Sequence, residues 1–182
     1  LLATEIKDAT YEGISEKDLA ESMLMTARTL VEKEPNYSYV TARLLLNNME
    51  NEVGAFLDIN ERKDRGKMYV EALAKTVDKG IELDFLNVEL KSYDLTKLGK
   101  AILQERDFQF TYLGLQTLYD RYFITCDEIR YELPQVFFMR VAMGLALNEK
   151  NKDQRAIEFY KLLSSFDYMS STPTLFNSGT QR

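Results

Sequence analysis

Pro134-Gln135-Val136-Phe137-Phe138-Met139-Arg140-Val141-Ala142-Met143-Gly144-Leu145-Ala146-Leu147 is apolar on most of its sides. A helix of that composition has almost no face to offer water, so other elements must cover it. Pro134 stands at its start, where a missing amide hydrogen costs little. The stretch predicts a buried central helix, and the flanking sequence has to supply its shell.

The chain around it is poor in helix breakers: 3 prolines and 8 scattered glycines in 182 residues. A mainly α fold follows. Ser15 can cap a helix whose apolar face is Leu19, Met23, Ala27, Leu30 and Val31, ending before Pro35. A second helix is expected from about Tyr37 to Phe56. A third covers about Gly66 to Lys79, with Gly80 as a left-handed terminator. Residues 83–105 hold two shorter pieces, begun by Asp84 and capped by Asp94. A helix from about Thr111 to Tyr122 carries Leu115, Leu118, Tyr119 and Tyr122. Phe123 to Tyr131 reads as a small β-hairpin around Cys126-Asp127-Glu128. Asp153 can cap the last helix, with Ile157, Tyr160 and Leu163 inward. Ser170 to Thr180 is β-branched, aromatic and hydroxyl-rich, and is expected as an extended strand lacking neighbours.

Composition removes whole classes of chemistry. There is no His, which excludes Ser-His-Asp and Cys-His catalysis and HExxH zinc sites. The single Cys, Cys126, allows neither a disulfide framework nor an all-cysteine zinc site. A net charge of −6 argues against general nucleic-acid binding. No apolar run reaches the length of a membrane span. The start lacks signal-peptide character and an initiator Met, so the chain reads as part of a longer, cytoplasmic protein. No metal site and no catalytic residue is expected within it.

Few residues stand out as site candidates. Hydroxyls and amides on Ser171 to Thr180 can donate to phosphate or sugar oxygens. A surface loop of turn-forming residues explains the same composition, and on composition alone is the heavier reading. The aromatics of residues 108–123 could stack bases, but their helical spacing favours core. Arg43, Arg121 and Arg140 lie in apolar helices and need carboxylates; Asp107, Asp120 and Glu132 are available. Cys126 sits beside Asp127 and Glu128, which blunt a thiol.

Four blocks resemble the large, catalytic subunit of class I ribonucleotide reductase. They are Asn36 to Leu45 (NYSYVTARLL), Asp107 to Tyr122 (DFQFTYLGLQTLYDRY), Glu132 to Leu147 (ELPQVFFMRVAMGLAL) and Ser170 to Thr180 (SSTPTLFNSGT). The resemblance implies a helical N-terminal domain over 1–168. It makes 169–182 the first strand of a ten-stranded α/β barrel whose remainder, with the radical and redox cysteines, lies outside this chain, as does an ATP cone. It implies reduction of ribonucleoside diphosphates to deoxyribonucleoside diphosphates. The implied partners are the rest of the large subunit, a radical-generating metallo-subunit, thioredoxin or glutaredoxin, and a second large subunit. The implied effectors are ATP, dATP, dTTP and dGTP. One site residue carries over: Thr172, ahead of Pro173, as a substrate contact. A related class using adenosylcobalamin shares the barrel. The reading from a different class is a helical interaction module without catalysis, whose residues 170–182 would be disordered and dispensable.

Overall fold

In the computed structural model, which describes residues 2–9, 11–61 and 63–181, every residue from Tyr131 to Met143 is buried. The central helix, α7, runs Pro134–Ala146, with Pro134 in its first turn. Its shell is helical. In chain order come α1 (Leu2–Ala9), α2 (Glu16–Leu30), α3 (Tyr37–Phe56) and α4 (Arg65–Glu82). A 3-10 turn (Val88–Ser92), α5 (Leu95–Lys100), a second 3-10 turn (Gln104–Gln109) and α6 (Tyr112–Arg121) follow. Strands β1 (Thr125–Cys126) and β2 (Ile129–Arg130) precede α7, and α8 (Lys152–Ser164) and α9 (Thr172–Asn177) come after it. The longest packing line is α7 against α8; α2 and α6 both lie on α3, and α4 on α5.

Helix starts follow from side chains that satisfy free amides. The Ser15 hydroxyl accepts from the Asp18 amide, Asp64 from Lys67, Asp94 from Lys97 and Thr111 from Gly114. The hairpin is antiparallel, with Thr125 opposite Arg130 and Cys126 opposite Ile129. Its two-residue turn puts Asp127 (φ 47°) and Glu128 (φ 67°) in the left-handed region, as a twist-compatible tight hairpin requires.

Four local expectations are corrected. Gly80 does not terminate its helix but lies inside α4, where a Cβ would meet Leu86 side-chain carbons at 2.5 Å. The reversal falls to Asp84, φ 57°, which therefore begins no helix. The residue before α8 is Asn151, and Asp153 sits in its first turn. Most consequential, Ser170 to Thr180 is not a strand. Residues Thr172–Asn177 form α9, and the extended character survives only as an isolated bridge between Thr180 and Leu86. The backbone hydrogen bonds of the segment close within it, Leu175 N donating to Ser171 O and Ser178 N to Thr174 O. Pro173 fits the first turn of such a helix.

Candidate active-site segment and its anchors

Arg140 is fully buried in α7, and a guanidinium there must have partners. Its Nε donates to Glu132 Oε1 at 2.6 Å and its Nη2 to Glu132 Oε2 at 3.2 Å, a fork on an equally buried carboxylate. The pair reaches two other elements. Glu132 Oε2 accepts the Ile124 amide at 2.9 Å, fixing the entry to the hairpin. Arg140 Nη1 donates to the Ser178 carbonyl at 2.7 Å, fixing the exit of α9. Ser178 Oγ adds a bond to Val141 O at 2.7 Å. Gly179, φ +78°, passes so close over α7 that a Cβ on Gly144 would lie 2.6 Å from the Ser178 carbonyl carbon. Beyond it, Gly179 O accepts from Asn87 N at 3.0 Å and Phe85 O from Gln181 N at 3.0 Å. Residues 178–181 are thus clamped between α7 and the segment 85–87.

Thr172 lies at the start of α9, exposed. Its Oγ1 shares a hydrogen bond with Tyr122 Oη at 3.1 Å. Two tail hydroxyl bonds are local: Ser171 with Thr174 at 3.3 Å, and Thr180 with Asn177 O at 2.8 Å. Tyr122 also stacks on Phe176, ring centroids 4.9 Å apart. The two rings wall an open cleft of about 250 Å³ that Phe85, Thr125, Asn177 and Gln181 complete.

A second polar centre lies on the far side of α7. Asp107 is buried and accepts from Arg65 at 2.7 Å, from Gln135 at 2.9 Å and from the Tyr69 hydroxyl. Tyr160 donates to Gln135 at 2.9 Å, and Glu50 pairs with Arg65 at 2.9 Å. Burial pushes the Asp107 carboxyl up to about 6, against the three donors that favour its charge; Glu50 adds to the rise. Arg65, 42 residues away in sequence and not among the three arginines singled out, is the partner of Asp107. Arg43 instead lies over the Phe108 ring at 5.4 Å, and Asp120 takes Gln116. Phe108, expected in the core, is 42% exposed; Phe110 and Phe123 are buried as expected.

The sign of the Asp107 effect is set by linkage. A carboxyl that holds its proton more tightly folded than unfolded loses stability on ionisation. Asp107 therefore contributes a fall in stability as pH rises from about 4 to about 6. Asp107→Asn should flatten the difference in urea midpoint across that window; an unchanged slope would show that Asp107 ionises freely.

Sequence reasoning found Arg140 from charge in an apolar helix and Glu132 as one of three available carboxylates. It missed the tyrosine beside Thr172, whose helical spacing gave no sign that its hydroxyl faces outward. Among the described residues, no group of three or more Cys, Asp or Glu is arranged to hold a metal ion. No helix among them is long and apolar enough to cross a membrane.

The family model described as "Ribonucleotide reductase, all-alpha domain" matches residues 108–182. The chain is 45% identical over 170 residues to ribonucleoside-diphosphate reductase subunit alpha of Chlamydia trachomatis, covering 93% of this chain and 16% of that protein. It is 35% identical over 175 residues to subunit alpha of Helicobacter pylori, covering 94% and 21%. It is 30% identical over 182 residues to the ribonucleoside-diphosphate reductase large subunit of Danio rerio, covering 100% and 22%. The chain therefore spans about a fifth of the length of these relatives. Arg140, Gly144, Tyr122 and Thr172 all fall in the matched segment, and the chain belongs to the ribonucleotide reductase large-subunit family, whose all-alpha domain it carries.

Proposed function

We propose that this chain is part of the catalytic subunit of a cytoplasmic class I ribonucleoside-diphosphate reductase, in which it is scaffold and one substrate contact. The observation that carries the reading is similarity to reductase alpha and large subunits along 93% to 100% of the chain. Reduction at the ribose removes a hydroxyl as water and consumes two electrons. A cysteine pair supplies them and becomes a disulfide, which thioredoxin or glutaredoxin resets. A chain with 1 Cys holds no such pair, so the pair belongs to the rest of the large subunit. On this reading the radical and the effectors ATP, dATP, dTTP and dGTP are likewise handled by that remainder and its metallo-subunit. The large subunit works as a homodimer on this reading.

Thr172 is the residue to which this reading assigns the substrate contact. A hydroxyl carries one donor and two acceptor sites, and Tyr122 occupies only one of the three. A neutral hydroxyl contact contributes about 1 kcal/mol, so it orients a ribonucleoside diphosphate and does not bind it alone. The ordered, clamped tail supports this reading over an interaction module, for which residues 170–182 would be dispensable. In a complete large subunit, Thr172→Ala is expected to raise KM for CDP about five-fold, and Thr172→Ser to restore it. An unchanged KM would sink the contact. The 182-residue chain alone is expected to convert no CDP to dCDP.

A further inference from the structure

We propose that Tyr122 is the positioning residue of Thr172, selecting the hydroxyl orientation that a substrate oxygen meets. The inference rests on the reading of Thr172 above and adds a residue to it. Tyr122 follows the last turn of α6, where its amide donates to Leu118 O at 2.9 Å. Its ring lies between two others. Phe137, buried in α7, approaches edge-on at 6.4 Å, and Phe176 stacks at 4.9 Å with planes 25° apart. The phenol oxygen is therefore held by packing before it makes any hydrogen bond.

Thr172 and Phe176 are four residues apart on α9, so they share a face. One tyrosine grips both: ring on Phe176, hydroxyl on Thr172. A threonine side chain has three staggered rotamers available, and an exposed one has little packing to choose among them. The bond to Tyr122 chooses. With Tyr122 as donor, the Thr172 proton remains free to be donated to an anionic or ribose oxygen. Tyr122 itself need not touch the ligand. The latch of Glu132 and Arg140 holds the same arrangement from the other end, through Ile124 two residues after Tyr122 and through Ser178 after α9.

The test is a double-mutant cycle in a complete large subunit carrying this sequence, read by steady-state kinetics with CDP. Tyr122→Phe keeps the ring and both aromatic contacts and deletes only the hydroxyl. It is expected to raise KM about five-fold with kcat changed by less than about two-fold, and to have no further effect on a Thr172→Ala background. A purely structural role would act equally on both backgrounds, and that result overturns the proposal. So does a Tyr122→Phe variant with unchanged KM where Thr172→Ala raises it. If Thr172→Ala leaves KM unchanged, the substrate reading of Thr172 fails, and a second measurement still decides the role of Tyr122. Three-bond couplings at Thr172 in the 182-residue chain should report one rotamer with Tyr122 and averaging in Tyr122→Phe. Couplings that do not change overturn the inference.

Discussion

Arg140→Met is expected to destabilise the fold by about 3–5 kcal/mol, a fall in thermal midpoint of roughly 10 °C for a chain of this size. The methionine fills much of the volume and costs little in packing. The loss comes from Glu132, which stays fully buried with its charge uncompensated. Adding Glu132→Leu removes that charge and should recover part of the loss. Full recovery is not expected, because the pair also serves two backbone groups. The Ile124 amide and the Ser178 carbonyl both lose their partners in the double variant. Both groups are only partly buried, so each costs at most about 1–3 kcal/mol when unpaired. Urea titration of the three variants separates these contributions. A double variant as stable as the parent would mean that both backbone groups find water, and that the ion pair does not tie the hairpin and the tail to α7.

How much of this architecture could be read from the residues depended on the range of the interactions involved. Local rules worked. Ser15 and Asp94 announce their helices because a side-chain oxygen two or three residues ahead of an amide needs nothing else to cap it. Pro134 and the unbroken apolar run after it announce a covered helix. The hairpin was legible from two short β-branched runs around a turn. Longer-range effects were not. Gly80 looks like a helix stop, yet its place is decided by Leu86 folding back onto α4. Asp107 meets Arg65 only after α4 and the second 3-10 turn have docked. The tail was misread for a related reason. Its β-branched, hydroxyl-rich composition suits a strand, but a strand needs partners, and six residues are too few to show a helical period. The candidate site was half visible: Thr172 and Arg140 came from sequence, while Tyr122 required the geometry that brings α6 beside α9.

Gly144→Ala is expected to cost about 1–3 kcal/mol, although alanine is the better helix former at that position. Helix propensity alone favours the substitution by somewhat under 1 kcal/mol, so the direction of the result is informative. The added methyl would stand on the Gly179 amide nitrogen and on Ser178 Oγ, far inside van der Waals contact. Backbone cannot rotate out of the way as a side chain can. Either α7 shifts within a shell that leaves Val141, Ala142 and Met143 no room, or residues 178–181 lift off. Lifting is the cheaper route, and it breaks identifiable bonds: Arg140 to Ser178, Ser178 to Val141, and Asn87 to Gly179. Amide exchange at Asn87 and Gln181 should therefore accelerate well before that at Leu57, whose amide bonds within α3's own last turn. In a complete large subunit the same displacement carries α9 away from Tyr122, so Gly144→Ala should raise KM for CDP without touching Thr172. If the variant is instead more stable than its parent and Asn87 stays protected, the tail is not seated on α7, and nothing in α7 positions Thr172.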